Sequence, residues 1–215
     1  MPRRAPVTLA TVALWTAGGL WLESRVGIEG QLALGAFTCV VLAALLAIHT
    51  REERLLTLLV VCVASVGEVV GSLVWGLYTY RLENLPAFVP PGHGLVYLGG
   101  LALARCAGSR APWFVGAGLV GILAWGTAGL TVLPTTDVTG AIGCATLALV
   151  LVLTRRSVYA GVFVFVAALE LYGTALGTWT WQSMVPGLGL PQANPPSGVA
   201  SGYVLFDVVA LAAAP

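Results

Sequence analysis

The sequence predicts an all-α polytopic membrane protein, with about eight transmembrane helices arranged as a tandem repeat of four plus four. Three observations carry that expectation. The 215-residue chain is 58% hydrophobic and 9% charged, with a mean hydropathy of +0.93. That leaves too little polar surface for a soluble domain of this length. Apolar stretches of bilayer-spanning length, roughly 17–25 residues, recur from end to end. An order of acid, glycine, Ser/Thr, aromatic pair and Pro-Pro also occurs twice.

The first stretch, 5–23, follows Met1-Pro2-Arg3-Arg4. It is long for a signal-peptide core and lacks a clear small-x-small cleavage site, so it reads as a retained helix. The second, 31–49, closes on His49, a boundary residue beside Arg51. The third, 55–80, opens after Arg54 and carries Glu68, Gly71, Ser72, Trp75, Tyr78 and Tyr80. The fourth, 89–107, starts at Pro90-Pro91, where a missing N–H costs nothing. The fifth and sixth, 112–133 and 138–154, are followed by Arg155-Arg156. The seventh, 157–182, repeats the third with Glu170, Gly173, Thr174, Trp179 and Trp181. The eighth, 197–214, follows Pro195-Pro196. Long connections follow only the third and seventh.

Arginine placement sets the orientation. Arg3, Arg4, Arg51, Arg54, Arg105, Arg110, Arg155 and Arg156 fall on one side, and Arg25 and Arg81 on the other. Both termini are therefore expected in the cytoplasm, in a multi-pass protein of the cell (plasma) membrane. Residues 1–110 form the first repeat and 111–215 the second, together one transmembrane domain. An even number of helices in each half gives the repeats the same orientation, about an axis along the membrane normal. All ten basic residues are arginine, as in a GC-rich bacterial genome.

Several function classes drop out. A net charge of +1, with no basic cluster interleaved with aromatics, argues against nucleic acid. Cys39, Cys62, Cys106 and Cys144 stand singly, as small packing residues rather than metal ligands. No phosphate loop, nucleophile elbow or zinc-protease motif is present, so no cofactor is expected. Glu68, His93, Glu170 and Asp207 could be drawn around a metal, but two histidines in the chain make that a poor metal site. The expected partners are membrane lipids and a lipid-soluble substrate, with room for a homo-oligomer.

The acids mark the expected site, because an acid at bilayer depth costs at least ~2.5–3.5 kcal/mol and so points to function. Glu68 is the fourteenth residue after Arg54 and Glu170 the fourteenth after Arg156, about 20 Å from the inner surface. Asp207 is about ten residues into the eighth segment, roughly 15 Å down from the outer side. Expected beside them are Ser72 and Trp75 on the face of Glu68, and Thr174 on that of Glu170. His93 and Asn194 sit at the two Pro-Pro helix starts. Tyr78, Tyr80, Trp179 and Trp181 read either as an interfacial belt or as the lining of a slot.

Glu68-x-x-Gly71 through Tyr78-x-Tyr80, then Leu85-Pro86 and Val89-Pro90, resembles the carotenoid biosynthesis membrane family that includes bisanhydrobacterioruberin hydratase. So do Trp179-x-Trp181 and Gly189-x-Pro191-x-x-Asn194. The likeness covers about a quarter of the chain. It departs at Pro195-Pro196-Ser197, where that family carries a large aromatic. The resemblance implies an isoprenoid hydratase-like lyase that adds water across a C=C of a polyene. Glu68 would be the acid, Glu170 or Asp207 would position the water, and His93 and Asn194 would support them. Two other classes fit the same residues: a proton-coupled transporter of a small molecule or lipid, and a non-catalytic complex subunit whose acids bond helices together.

Overall fold

The computed structural model describes residues 4–213. Arg3, one of the orienting arginines, lies outside the described residues. Helices α1 (Arg4–Glu23), α2 (Ile28–Ile48) and α3 (Arg51–Glu68) lead into a π-helical turn at Val69–Val74 and strand β1 (Tyr78–Tyr80). Helix α4 (Val89–Ala107) passes through a 3-10 turn at Gly108–Arg110 into α5 (Ala111–Thr131). Helices α6 (Val138–Thr154) and α7 (Ser157–Leu176), strand β2 (Trp179–Trp181) and α8 (Ala200–Ala213) follow. Among the described residues, five helical stretches are long and apolar enough to cross a membrane: Arg4–Glu23, Ile28–Ile48, Arg51–Val74, Val89–Thr131 and Ser157–Leu176. Helices α6 and α8 are apolar but shorter.

Local chemistry explains the boundaries. Thr50 and Glu53 form a reciprocal capping box at the start of α3, each side chain bonding the other's backbone N–H. Pro90 and Pro91 occupy the first turn of α4. Asp137 caps α6 by accepting from Gly140 N–H at 3.0 Å. Helix α7 ends at Gly177, whose φ of +71° suits glycine.

The segments expected at 55–80 and 157–182 stop being helical before their aromatic pairs. Both pairs, Tyr78/Tyr80 and Trp179/Trp181, are β-strand. The last segment was expected from 197, yet α8 begins at Ala200, so Pro195-Pro196 lie in its lead-in rather than in its first turn.

Contacts between small residues set the packing. Gly100 of α4 lies against Val162 of α7, with Gly99 beside Phe165, so these two helices run antiparallel. Gly118 and Gly121 of α5 face Ala160 and Phe163, so α5 runs parallel to α7. Gly35 faces Ala87 and Gly94 faces Leu42, which makes α2 parallel to α4. Gly140 and Gly143 meet Ser197 and Gly198 in the lead-in to α8. Close approach of backbones at such positions is the usual way apolar helices associate without a hydrophobic driving force.

Buried Leu98, Ile122, Leu147, Leu151 and Val166 fill the centre. Leu14, Val66, Val120, Leu149 and Leu153 face outward, as lipid-facing residues do. Cys39, Cys62 and Cys106 are exposed on those outward faces. Only Cys144 packs inside, against Gly126.

Candidate functional site

Strands β1 and β2 pair antiparallel, with Tyr78 opposite Trp181, Thr79 opposite Thr180 and Tyr80 opposite Trp179. Side chains alternate along a strand, so the four aromatics share one face while Thr79 and Thr180 are exposed on the other. That face carries the hydrogen bonds of both acids. Glu68 Oε2 accepts from the hydroxyls of Tyr78 and Tyr80, each at 2.7 Å. Glu170 Oε2 accepts from the indole N–H groups of Trp179 and Trp181, at 2.8 and 3.1 Å. Each carboxylate is thus held by the two alternating aromatics of the strand that follows its own helix.

A glycine one turn beyond each acid makes this geometry available. A Cβ on Gly71 would come within 3.3 Å of the Tyr78 hydroxyl, and one on Gly173 would overlap the Trp179 ring. Glu-x-x-Gly is therefore one structural unit: the glycine clears space for the ring that donates back to the acid. The π-helical turn gives the chain its way out of α3. Trp75 N–H bonds Val70 C=O five residues back, at 2.8 Å, and Gly76 follows with φ +73°.

The other oxygens of the two acids meet helices α4 and α8. Glu68 Oε1 lies 2.8 Å from His93 Nε2, and Glu170 Oε1 accepts from the Tyr203 hydroxyl at 3.4 Å. His93 stacks on Tyr203 with ring centroids 4.8 Å apart, and Phe206 meets the imidazole edge-on at 5.8 Å. The order is Glu68, His93, Tyr203, Glu170: two buried carboxylates joined through one stacked pair. Tyr78 and Trp181 close the strand side, with centroids 4.4 Å apart.

These groups line a cavity with about 1150 Å³ of empty space, part of it continuous with the surroundings. Beyond the polar cluster its wall is apolar, with Leu20, Leu34, Leu95 and Val96 among its residues. Trp15 and Thr38 also line it, joined by an indole N–H to hydroxyl bond of 3.2 Å. Such a chamber suits an elongated apolar molecule with one reactive or polar end.

Of the residues expected at the site, Glu68, Glu170, His93, Tyr78, Tyr80, Trp179 and Trp181 line this cavity. Five others do not. Ser72 and Thr174 donate to the backbone carbonyls of Glu68 and Glu170, at 2.8 and 2.6 Å, inside their own helices. Trp75 is carried off the Glu68 face by the π-helical turn and donates to Pro186 C=O at 2.9 Å. Asn194 accepts from Trp181 N–H at 3.1 Å and buttresses β2 from outside. Asp207 is buried one turn beyond Tyr203 on α8, away from the cavity wall.

Tyr203, Phe206 and Trp15 were not expected there. The repeat frame does not locate Tyr203, since 93 + 102 = 195 falls on Pro195, eight residues before it. No motif marks Trp15. Two further acids, Glu23 and Asp137, are buried without any motif to mark them. Glu23 accepts from Gln31 at 2.8 Å and pairs with Arg81 at 3.1 Å, tying α1, α2 and β1 together. Asp137 accepts from the N–H groups of Ala193 and Ser197, at 3.0 and 2.6 Å, and so anchors the lead-in to α8.

No family model, curated protein or solved structure matches the chain, so its functional reading rests on its own geometry.

Proposed function

We propose that this chain is a multi-pass membrane enzyme that binds a lipid-soluble polyene or isoprenoid in the cavity and adds water across one of its C=C bonds. The observation that carries the reading is the Glu68–His93 pair, 2.8 Å apart in an aromatic-lined chamber. Alkene hydration needs a proton donor for carbon, a surface that tolerates positive charge, and an acceptor for the proton of the attacking water.

Glu68 is surrounded by donors: two phenols and the imidazole. That suits it less as the acid than as the anionic partner of a protonated His93. In this assignment His93 gives its proton to the alkene carbon, with Nδ1 as the donating nitrogen. The cationic carbon lies against ring faces. Water adds to it and passes its surplus proton to Glu170, and from there the proton returns to His93. Atoms and charge balance, and no cofactor is consumed.

The finer architecture is part of the same proposal: eight spans, a four-plus-four repeat and both termini in the cytoplasm of a bacterial cell. Its support is the matched pairing of each acid with its following strand. The alternating helix directions also gather Arg4, Arg51, Arg54, Arg105, Arg110, Arg155 and Arg156 at one end of the bundle. In this chain the Tyr-x-Tyr and Trp-x-Trp segments that carry the likeness to the carotenoid membrane family form the β1–β2 pair. A proton-coupled carrier is the second reading, favoured by the near-equivalence of Glu68 and Glu170 across that pair.

Polyenes extracted from cells expressing wild type, Glu68→Gln and His93→Ala test the choice. The enzyme predicts a wild-type product heavier by one water, lost in both variants while its precursor accumulates. Unchanged polyene profiles with folded proteins would remove the enzyme and bring the carrier forward.

A further inference from the structure

The cavity wall has an uneven inventory of charge. It contains two carboxylates, Glu68 and Glu170, and one imidazole, His93; among the described residues that line it there is no arginine, and the chain has no lysine. Arg81 follows directly on Tyr80, but its guanidinium turns away to Glu23 and to Val26 C=O. Even with His93 charged, that is two carboxyl groups against one positive group, so the second carboxyl can ionise only without a cationic partner. Buried charge left in that state is costly, and a bound cation would offset it.

The rings beside these acids have the matching polarity. Tyr78, Trp179, Trp181 and Tyr203 line the same wall, and their phenol and indole groups point at the carboxylates. Tyr203 turns one face to His93; where such a ring turns a face to the cavity rather than to a neighbouring ring, that face attracts positive charge.

We infer that the polar end of this cavity is a binding site for a lipophilic organic cation, a quaternary or tertiary ammonium head on a long apolar tail. The inference rests on the reading of the cavity as the working site and names what that site holds most tightly. A reaction passing through a carbon cation would use the same preference, and an ammonium amphiphile would imitate that species and occupy its place. Leu20, Leu34 and Leu95 line the part of the cavity suited to the tail.

The test uses full-length protein in lipid nanodiscs and radiolabelled dodecyltrimethylammonium. Two competitors are compared at equal mole fraction in the lipid: the unlabelled cation, and its neutral isostere with a quaternary carbon in place of nitrogen. The cation should displace the label at a mole fraction at least tenfold lower than the isostere. Glu68→Gln should reduce that ratio toward one, while Glu29→Gln, at the exposed start of α2, should leave it unchanged. Should Glu68→Gln fail to fold, the wild-type ratio alone decides. Equal displacement by both competitors would overturn the inference yet leave the cavity a site for apolar ligands. Saturable binding of neither would overturn the inference and the cavity reading together.

Discussion

At the residue scale, the two acids owe their geometry to neighbours a short way along the chain. Tyr78→Phe and Tyr80→Phe each remove one donor from Glu68. Hydrogen bonds to charged groups contribute ~1.5–3 kcal/mol, so either variant should lower the thermal midpoint of purified protein, and the double variant should lower it further. Midpoints within error of wild type would mean that these hydroxyls do not hold the carboxylate. Gly173→Ala is the steric counterpart, since its Cβ would overlap the Trp179 ring. Overpacking of this kind costs ~1–3 kcal/mol, and displacement of the indole from Glu170 should appear as a shift in tryptophan emission. An unshifted spectrum with full stability would contradict the fit between glycine and ring.

At the scale of elements, the connections carry as much structure as the helices. Asp137 is fully buried and accepts three backbone N–H groups, one in α6 and two in the lead-in to α8. Asp137→Ala should cost at least ~1–3 kcal/mol and speed hydrogen exchange at Ala193 and Ser197. Exchange unchanged at both amides would show that the loop is held by something else. Sequence periodicity cannot expose such an anchor, because the residues it joins lie 56 and 60 positions away.

The strands were hidden for a related reason. Tyr78-Thr79-Tyr80 and Trp179-Thr180-Trp181 continue apolar runs, and composition alone reads an apolar run as more helix. Gly76 and Gly177 were the available warning, both with φ near +70°. The acids themselves were legible, because a carboxylate in an apolar run stands out without any fold. Ser72, Trp75 and Thr174 were misplaced because ideal helical spacing was extended through a π-helical turn, or because a hydroxyl satisfied itself on its own helix.

At the scale of the whole molecule, packing depends on small residues at helix crossings. Gly100→Leu at the α4–α7 crossing, where Val162 backbone would lie 2.7 Å from the new Cβ, should abolish accumulation of folded protein in the membrane, as judged by size-exclusion profile. A normal profile would contradict the crossing. The arginines gathered at one end make a second global prediction: cysteines placed at Ser109 and at Glu83 should label from opposite sides of the membrane. Labelling from the same side would refute the alternating arrangement.

The central claim is that the Glu68–His93 pair transfers protons to a lipid-soluble molecule held in this cavity. Its most direct measurement is reconstitution of purified protein in liposomes loaded with a polyene and suspended in oxygen-labelled water. Wild type should yield a product that carries the label, and His93→Ala should lower its rate by about 10²–10⁴-fold without unfolding the protein. A labelled product formed equally fast by His93→Ala, or no product from the wild type across a range of polyenes, would contradict it.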